Sequence, residues 1–358
     1  MFISAQHKIN IPIKKILIIQ LGDIGDVVWA IPAFQAVKNV YPHAALTVLT
    51  RKPYGDLLLD DHHIDKVFQT GKEDMLTNLR LLIKLRREKF DLTFDFRADA
   101  RGTIMTFLAG SKIRAALYYP GWKWRNRVFT HLVDPLPQKE RVYGAAEQSL
   151  KILRGFGIKE KNAIPKIFVS QTIRYNVLEM LTAEKIDTSR RFITINPFSR
   201  WSYKEWDINK WKHLMSFVWG KYKIPSLIIG SEEERKKADE FSSATNFPVY
   251  NMAGKSTLRE LAALLQMSRL HIGVDSAAPQ IAAAVGTPTL TIYGPSDWRE
   301  WAPPGEKNKV VVPDMDCSPC HKKGCRGSGR SDCLDNLSIA KVQDAVEIML
   351  NNFVFNKS

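Results

Sequence analysis

The sequence predicts an α/β protein of two doubly wound parallel-sheet units, and three observations carry the prediction. Short runs of mostly β-branched apolar residues, beginning with Ile16 to Ile19, alternate with stretches of helical spacing, the pattern of a parallel sheet with helices on both faces. The alternation lapses around Lys159 to Gln171, where charge and Pro165 mark a linker, and restarts at Phe192 to Asn196. The chain has 358 residues, enough for two separate cores.

The segment Lys14 to Tyr41 organises the first unit. Its apolar strand breaks at Gly22 and Gly25, and Val27 to Val40 take up helical spacing. Asp26 is expected at the N-cap, where its oxygen can accept free backbone N–H groups of the first turn. Because Asp23 and Asp26 already bring two carboxylates to this helix start, a nucleotide phosphate should bind elsewhere. A carboxylate at the carboxyl edge of a parallel sheet has a second use, taking a proton from a bound hydroxyl. Spacing alone leaves both readings of Asp26 open.

Further strands are expected at Ala45 to Leu49 and Leu92 to Phe96, with a helix at Leu79 to Arg87 between them and Arg97, Asp99 and Arg101 directly after the second. Tyr118 to Arg127 interleaves aromatic rings with Lys123, Arg125 and Arg127, a composition that can stack on sugars or bases and pair with phosphates, or form a plain basic turn. Gly144 to Phe156 reads as a helix. In the second unit, strands at Phe192 to Asn196, Ser226 to Ile229, His271 to Val274 and Thr289 to Tyr293 alternate with helices at Asn209 to Trp219, Glu232 to Phe241, Leu258 to Gln266 and Pro279 to Val285. Two such units facing each other would leave a cleft at their strand ends, where a two-substrate enzyme would work.

Gly254-Lys255-Ser256-Thr257 resembles the end of a phosphate-binding P-loop, but the glycine such a loop needs five residues before its Gly-Lys pair is replaced by Val249. The better reading is a turn with Ser256 or Thr257 capping the next helix. Gly273 to Gly294 is the stronger phosphate candidate: Ser276 and Ala277 are small enough for a diphosphate to approach the backbone N–H groups at a helix start, with Asp275 beside them. Lys204, after a strand of the second unit, can counter such a charge.

Composition gives a soluble globular class and no activity, with 45% hydrophobic and 25% charged residues. The balance of 52 Lys and Arg against 37 Asp and Glu, a net +15, favours a polyanionic partner: nucleic acid, an anionic membrane face or a phosphorylated glycolipid. The N-terminus lacks the apolar length and cleavage site of a signal peptide, so a cytoplasmic location is expected. The four cysteines, spaced C-x2-C-x4-C-x7-C from Cys317 through Cys320 and Cys325 to Cys333, are too few and too local for a secreted disulfide framework. They could hold a structural zinc ion as four thiolates.

Taken in order, the turn LGDIGDVVWAIPA, the loop SRWSYKEW, the segment GSEEER, the block GVDSAAPQIAAAVGTPTLTIYGPS and the tail CSPCHKKGCRGSGRSDCL resemble those of the bacterial lipopolysaccharide heptosyltransferases, glycosyltransferase family 9. The tail and RGTIMTFLAG are most similar to the heptosyltransferase III branch. The resemblance spans nearly the whole chain and implies a GT-B fold: Rossmann-like domains at 1–170 and 171–336, and a helix over 337–358 crossing back to the first.

The resemblance also implies inverting transfer of a heptose from ADP-heptose to a phosphorylated lipopolysaccharide core, with no catalytic metal or other cofactor. By position, Asp26 falls on the family's catalytic base, Lys204 on its phosphate-binding lysine, Glu232 on the residue that holds the adenosine ribose and Asp275 on the donor-sugar aspartate. Ser276 and Ala277 would offer backbone N–H groups to the diphosphate. Gln280 stands where the family usually carries His, and its amide can still donate a hydrogen bond. Arg97, Arg101, Lys123, Arg125 and Arg127 are acceptor-binding candidates on charge and loop position. An anionic inner-membrane surface is an expected peripheral partner, and nucleic acid is not. The alternatives are another nucleotide-sugar transferase of the same fold, or a non-catalytic basic module that binds glycolipid or RNA.

Overall fold

A computed structural model of the chain, described over residues 1–3, 7–72, 75–134, 144–160 and 162–355, divides into two compact units that meet between Phe168 and Val169. The first unit runs β1 (Phe2–Ile3), β2 (Lys15–Gln20), α1 (Ile24–Val40), β3 (Ala45–Arg51), β4 (Lys66–Thr70), α2 (Met75–Glu88), β5 (Leu92–Asp95), α3 (Ala100–Ala109), β6 (Ile113–Leu117), α4 (Lys123–Val128), β7 (His131–Val133) and α5 (Glu147–Gly155). All its strand pairs are parallel, in the order β1-β7-β6-β5-β2-β3-β4.

Strand β2 lies at the centre because both of its faces are apolar: Ile16 to Ile19 are at most 1% exposed. Its alternate residues Leu17 and Ile19 pack with Leu85 of α2 and with Met105 and Ala109 of α3, as the two-residue period of a strand requires. The chain leaves β2 towards β3 and β4, then returns to β5 and proceeds the other way. The sheet therefore reverses direction between β2 and β5, and their carboxyl ends border the crevice where open α/β sheets take ligands.

The second unit contains α6 (Gln171–Ala183), β8 (Ile193–Asn196), α7 (Ile208–Tyr222), β9 (Ser226–Ile228), α8 (Arg235–Ser243), β10 (Val249–Asn251), α9 (Leu258–Met267), β11 (His271–Val274), α10 (Ala277–Ala284), β12 (Thr289–Ile292), α11 (Trp298–Trp301), β13 (Asn308–Val311), α12 (Asp332–Asn336) and α13 (Ile339–Leu350). Its parallel sheet, β10-β9-β8-β11-β12-β13, reverses between β8 and β11. The same rule thus points to the carboxyl ends of those two strands.

Several elements escape sequence reading for local reasons. Edge strands β4, β10 and β13 carry polar or half-buried residues, so no apolar run announces them. The helix expected from Glu232 begins as a 3₁₀ turn, Glu232–Glu234, before α8. Thr257 caps α9 by accepting from the Glu260 N–H at 3.3 Å, which settles Gly254 to Thr257 as a turn and cap. Trp206 and Trp211 meet edge to face in the core, 5.7 Å apart.

The terminal helix, for which a crossing back to the first domain is expected, spends its apolar face on the second unit. Val342, Val346, Met349 and Leu350 of α13 fall at helical spacing and are buried in that unit's core, and the Arg191 guanidinium donates to the Val354 carbonyl at 2.8 Å. Residues 356–358 of the expected helix lie outside the described residues. Leu350 has no exposed surface, so Leu350→Ala should destabilise the second unit by about 2–5 kcal/mol. Chemical denaturation checks this, and a loss below about 0.5 kcal/mol would contradict the placement of α13.

Candidate active site

The first cluster forms where β2 and β5 end side by side, with Ile19 paired to Asp95. Asp26 is not the N-cap of α1. That residue is Asp23, and Asp26 is the third residue of the helix, its Oδ2 accepting the Asp23 backbone N–H at 2.9 Å. The return half of a capping box thereby fixes the carboxylate. Gln20 braces the same turn, donating to the Asp26 carbonyl and accepting from the Gly22 N–H. Gly22 is required sterically, because a Cβ there would stand 2.3 Å from Asp26 Oδ2.

Arg97 donates to that same Oδ2 at 2.8 Å. Burial raises the Asp26 pKa above the ordinary carboxylate value, and the Arg97 guanidinium opposes the shift without cancelling it. Both described bonds use Oδ2, which leaves Oδ1 for another proton donor. Such a carboxylate, more basic than usual yet held in place, suits proton abstraction.

Arg97 reaches Asp26 through a turn that Asp95 holds. Asp95 Oδ1 accepts the backbone N–H groups of Arg97 at 3.2 Å and Ala98 at 2.8 Å, and Ala98 takes the left-handed conformation with φ of 50°. Asp99 then caps α3 through the Gly102 N–H. Asp95 is 1% exposed, and burial pushes its pKa up to about 7.

The other acceptor candidates separate. Arg101 is tied to the end of β4, its Nη2 donating to Thr70 Oγ1 at 2.6 Å and the Gly71 carbonyl at 2.7 Å. Lys123, Arg125 and Arg127 lie on the short helix α4, where Arg125 stacks 4.2 Å over the Trp122 ring. Tyr118, Tyr119 and Trp122 pack against the cluster containing Ala98, so this basic turn neighbours the Arg97 turn.

In the second unit, Lys204 and Asp275 meet at the β8–β11 reversal. Lys204 ends a 3₁₀ turn beyond β8, Asp275 follows β11, and Lys204 Nζ lies 2.6 Å from Asp275 Oδ2. Ser276, the N-cap of α10, donates its hydroxyl to Asn196 Oδ1 at 2.7 Å and makes no side-chain cap bond. The helix starts at Ala277, two residues before the expected Pro279. Its first N–H groups have no intrahelical partner and favour an anion.

Gln280 is buried and donates to the Trp301 carbonyl at 2.6 Å. Its amide therefore anchors α10 to α11. Glu232 is exposed and pairs with Arg235 at 3.2 Å. It lies against Gly254, where φ is 72° and a Cβ would stand 2.0 Å from Glu232 Oε2. Thus Gly254, read as a simple turn residue, makes room for the carboxylate.

The four cysteines form no disulfide, and Cys333 is buried. Burial, then the neighbouring Cys320, Cys325 and Cys317, pushes its thiol up to about 11. Among the described residues no three of these sulfurs come within 4.8 Å of one another; the group that does is Asp61, His62 and His63, in which Asp61 and His63 share a 2.7 Å hydrogen bond.

Asp95, Gly22, Gly254 and Asn196 are the members that sequence reading missed. For Asp95, Gly22 and Asn196 the available signal was position at the ends of the strands that flank each reversal, which needs the strand order; Gly254 follows the edge strand β10 and gave no such signal.

Residues 78–329 match the model for Glycosyltransferase family 9 (heptosyltransferase). Lipopolysaccharide heptosyltransferase 3 of Escherichia coli is 26% identical over 296 residues, covering 78% of this chain and 84% of the relative. The solved family 9 glycosyl transferase from Veillonella parvula superposes with a TM-score of 0.80 at 18% identity, covering 94% of this chain and 97% of that one. E. coli heptosyltransferase WaaC, solved with ADP-2-deoxy-2-fluoro heptose, gives 0.69 at 16% identity, over 93% and 99%.

A buried acid with a raised pKa makes folding stability fall as pH rises. Between its ordinary value and about 7, folded Asp95 holds a proton that the unfolded chain has lost. Across that window Asp95 should contribute a decline of up to about 1.4 kcal/mol per pH unit, complete above the folded pKa. Asp95→Asn should flatten it. Denaturation midpoints measured from pH 5 to 8 check this, and identical slopes in both proteins would rule it out.

Proposed function

Because this chain belongs to glycosyltransferase family 9, the heptosyltransferases, we propose that it transfers a heptose from ADP-heptose to a hydroxyl of the lipopolysaccharide inner core, inverting the anomeric carbon with Asp26 as general base. The chain is a glycosyltransferase of the GT-B fold. The observation that carries the finer reading is Asp26 itself, a pinned carboxylate with raised pKa at the sheet reversal.

In this reading Asp26 accepts the proton of the acceptor hydroxyl as its oxygen attacks the anomeric carbon. The bond from that carbon to the diphosphate breaks, and ADP departs with the electron pair. Lys204 and the N–H groups of Ser276 and Ala277 at the start of α10 stabilise the departing charge. An ammonium has three donors, so Lys204 can keep Asp275 and still reach a phosphate oxygen. Glu232 takes the adenosine ribose and Asp275 the heptose. Gln280, its amide engaged by Trp301, supports the α10 start. Arg97 tunes Asp26, while Lys123, Arg125 and Arg127 hold acceptor phosphates. The work is done on the cytoplasmic side of the inner membrane and calls for no cofactor beyond the donor substrate.

Asp26→Asn keeps the volume and the backbone acceptor but removes the base. Its turnover at saturating donor and acceptor should fall by roughly 10²–10⁴-fold, with a melting temperature close to wild type. Near-normal turnover would sink the base assignment and leave a helix-capping role.

Arg97 lowers the Asp26 pKa, so Arg97→Gln should raise it and move the acidic limb of the kcat/KM profile to higher pH. A limb that stays put while the acceptor KM rises would make Arg97 an acceptor ligand.

A further inference from the structure

We propose that the outward face of α2 and α3 is the surface by which this protein docks on an anionic phospholipid bilayer. Helix α2 buries Leu85 in the core, with Leu81 and Leu82 packed beside it, where α3 contributes Met105 and Ala109. An ordinary surface helix would carry polar residues on its other side. Here the outward positions hold Leu76, Leu79 and Ile83 on α2 and Ile104, Phe107 and Leu108 on α3, all exposed, Leu76 by 62% and Phe107 by 60%. Single exposed apolar side chains need no explanation, but four of these, Leu79, Ile83, Phe107 and Leu108, line one groove between the two packed helices.

The charges around the patch select the occupant. An open groove of about 760 Å³ between the helices is lined by Leu79, Ile83, Phe107 and Leu108 together with Arg86, Arg87 and Arg114, and by no carboxylate. Every charged residue of α2 before its last is a cation: Arg80, Lys84, Arg86 and Arg87. The last, Glu88, is neutralised by Lys15 at 3.0 Å and Lys66 at 2.6 Å. A second copy seated on this face would bring cationic rim against cationic rim. A bilayer surface with anionic headgroups over an apolar interior matches both features. No helix among the described residues is long and apolar enough to cross a membrane, so the contact is interfacial. It would hold the protein on the plane that carries a glycolipid acceptor, and it does not depend on the role of Asp26.

The test is co-sedimentation of the full chain with phosphatidylcholine vesicles, with and without phosphatidylglycerol. Wild type should bind the anionic vesicles only, and less tightly as salt rises. Lys84→Gln with Arg87→Gln should weaken binding by roughly 10–30-fold, from two surface cations. Leu79→Asp with Phe107→Asp should abolish binding while leaving turnover of a soluble, delipidated acceptor unchanged, which separates this surface from the catalytic reading. Wild-type levels of vesicle binding by the charge-neutralised variant, equal binding to neutral vesicles, or a lipid-free dimer that Phe107→Asp dissociates would each overturn the proposal.

Discussion

Both units depend on one topological constraint, the reversal of strand order in a parallel sheet. At a reversal the two central strands send their following loops away from each other, so neither loop covers the carboxyl edge. The Asp26 cluster and the Lys204–Asp275 cluster are each attached at such an edge. In the first unit β2 supplies Asp26 and β5 supplies Asp95 and Arg97; in the second, β8 leads to Asn196 and Lys204 while β11 leads to Asp275 and Ser276. The flanking strands are buried on both faces. The polar groups therefore inherit the rigidity of the sheet.

The two clusters use that position differently. Asp26 sits in a compromise: burial makes its proton harder to lose, Arg97 makes it easier, and burial prevails. The compromise holds only while the opposing cation is held still, and Asp95 does that through the backbone of residues 97 and 98 rather than through Arg97's side chain. The cluster of the second unit is built from a lysine–carboxylate pair and an open helix start. It presents positive potential and backbone donors, which suit a departing diphosphate.

The outward face of α2 and α3 shows the sheet working from its other side. The same helices that seal Leu17 and Ile19 carry a second apolar surface that the fold leaves uncovered. Because the inner face alone satisfies the core, the outer leucines and phenylalanine are free to serve a surface function. Their cationic surroundings give that function a direction.

The sequence by itself determined the fold class and the duplication of the sheet, and it marked several candidate site residues. Apolar strands buried on both faces need continuous β-branched runs, and Ile16 to Ile19 and Phe192 to Asn196 are such runs. Small residues and carboxylates after such strands, Asp26 beyond Ile16 to Ile19 and Asp275 to Ala277 beyond His271 to Val274, were visible for the same reason. The sequence could not decide which partners these groups take. The cap of α1 fell to Asp23 because the turn geometry, which spacing does not encode, carried Asp26 into the helix. Arg97 and Arg101 looked alike as basic residues after a strand; only the packing of β4 and β2 around them sent one to Thr70 and the other to Asp26. Gln280 reached Trp301, and Gly254 made space for Glu232, through contacts between residues far apart in the chain. Local sequence sets backbone preference and burial, whereas pairing of charges and close approach depend on which segments the folded sheet brings together.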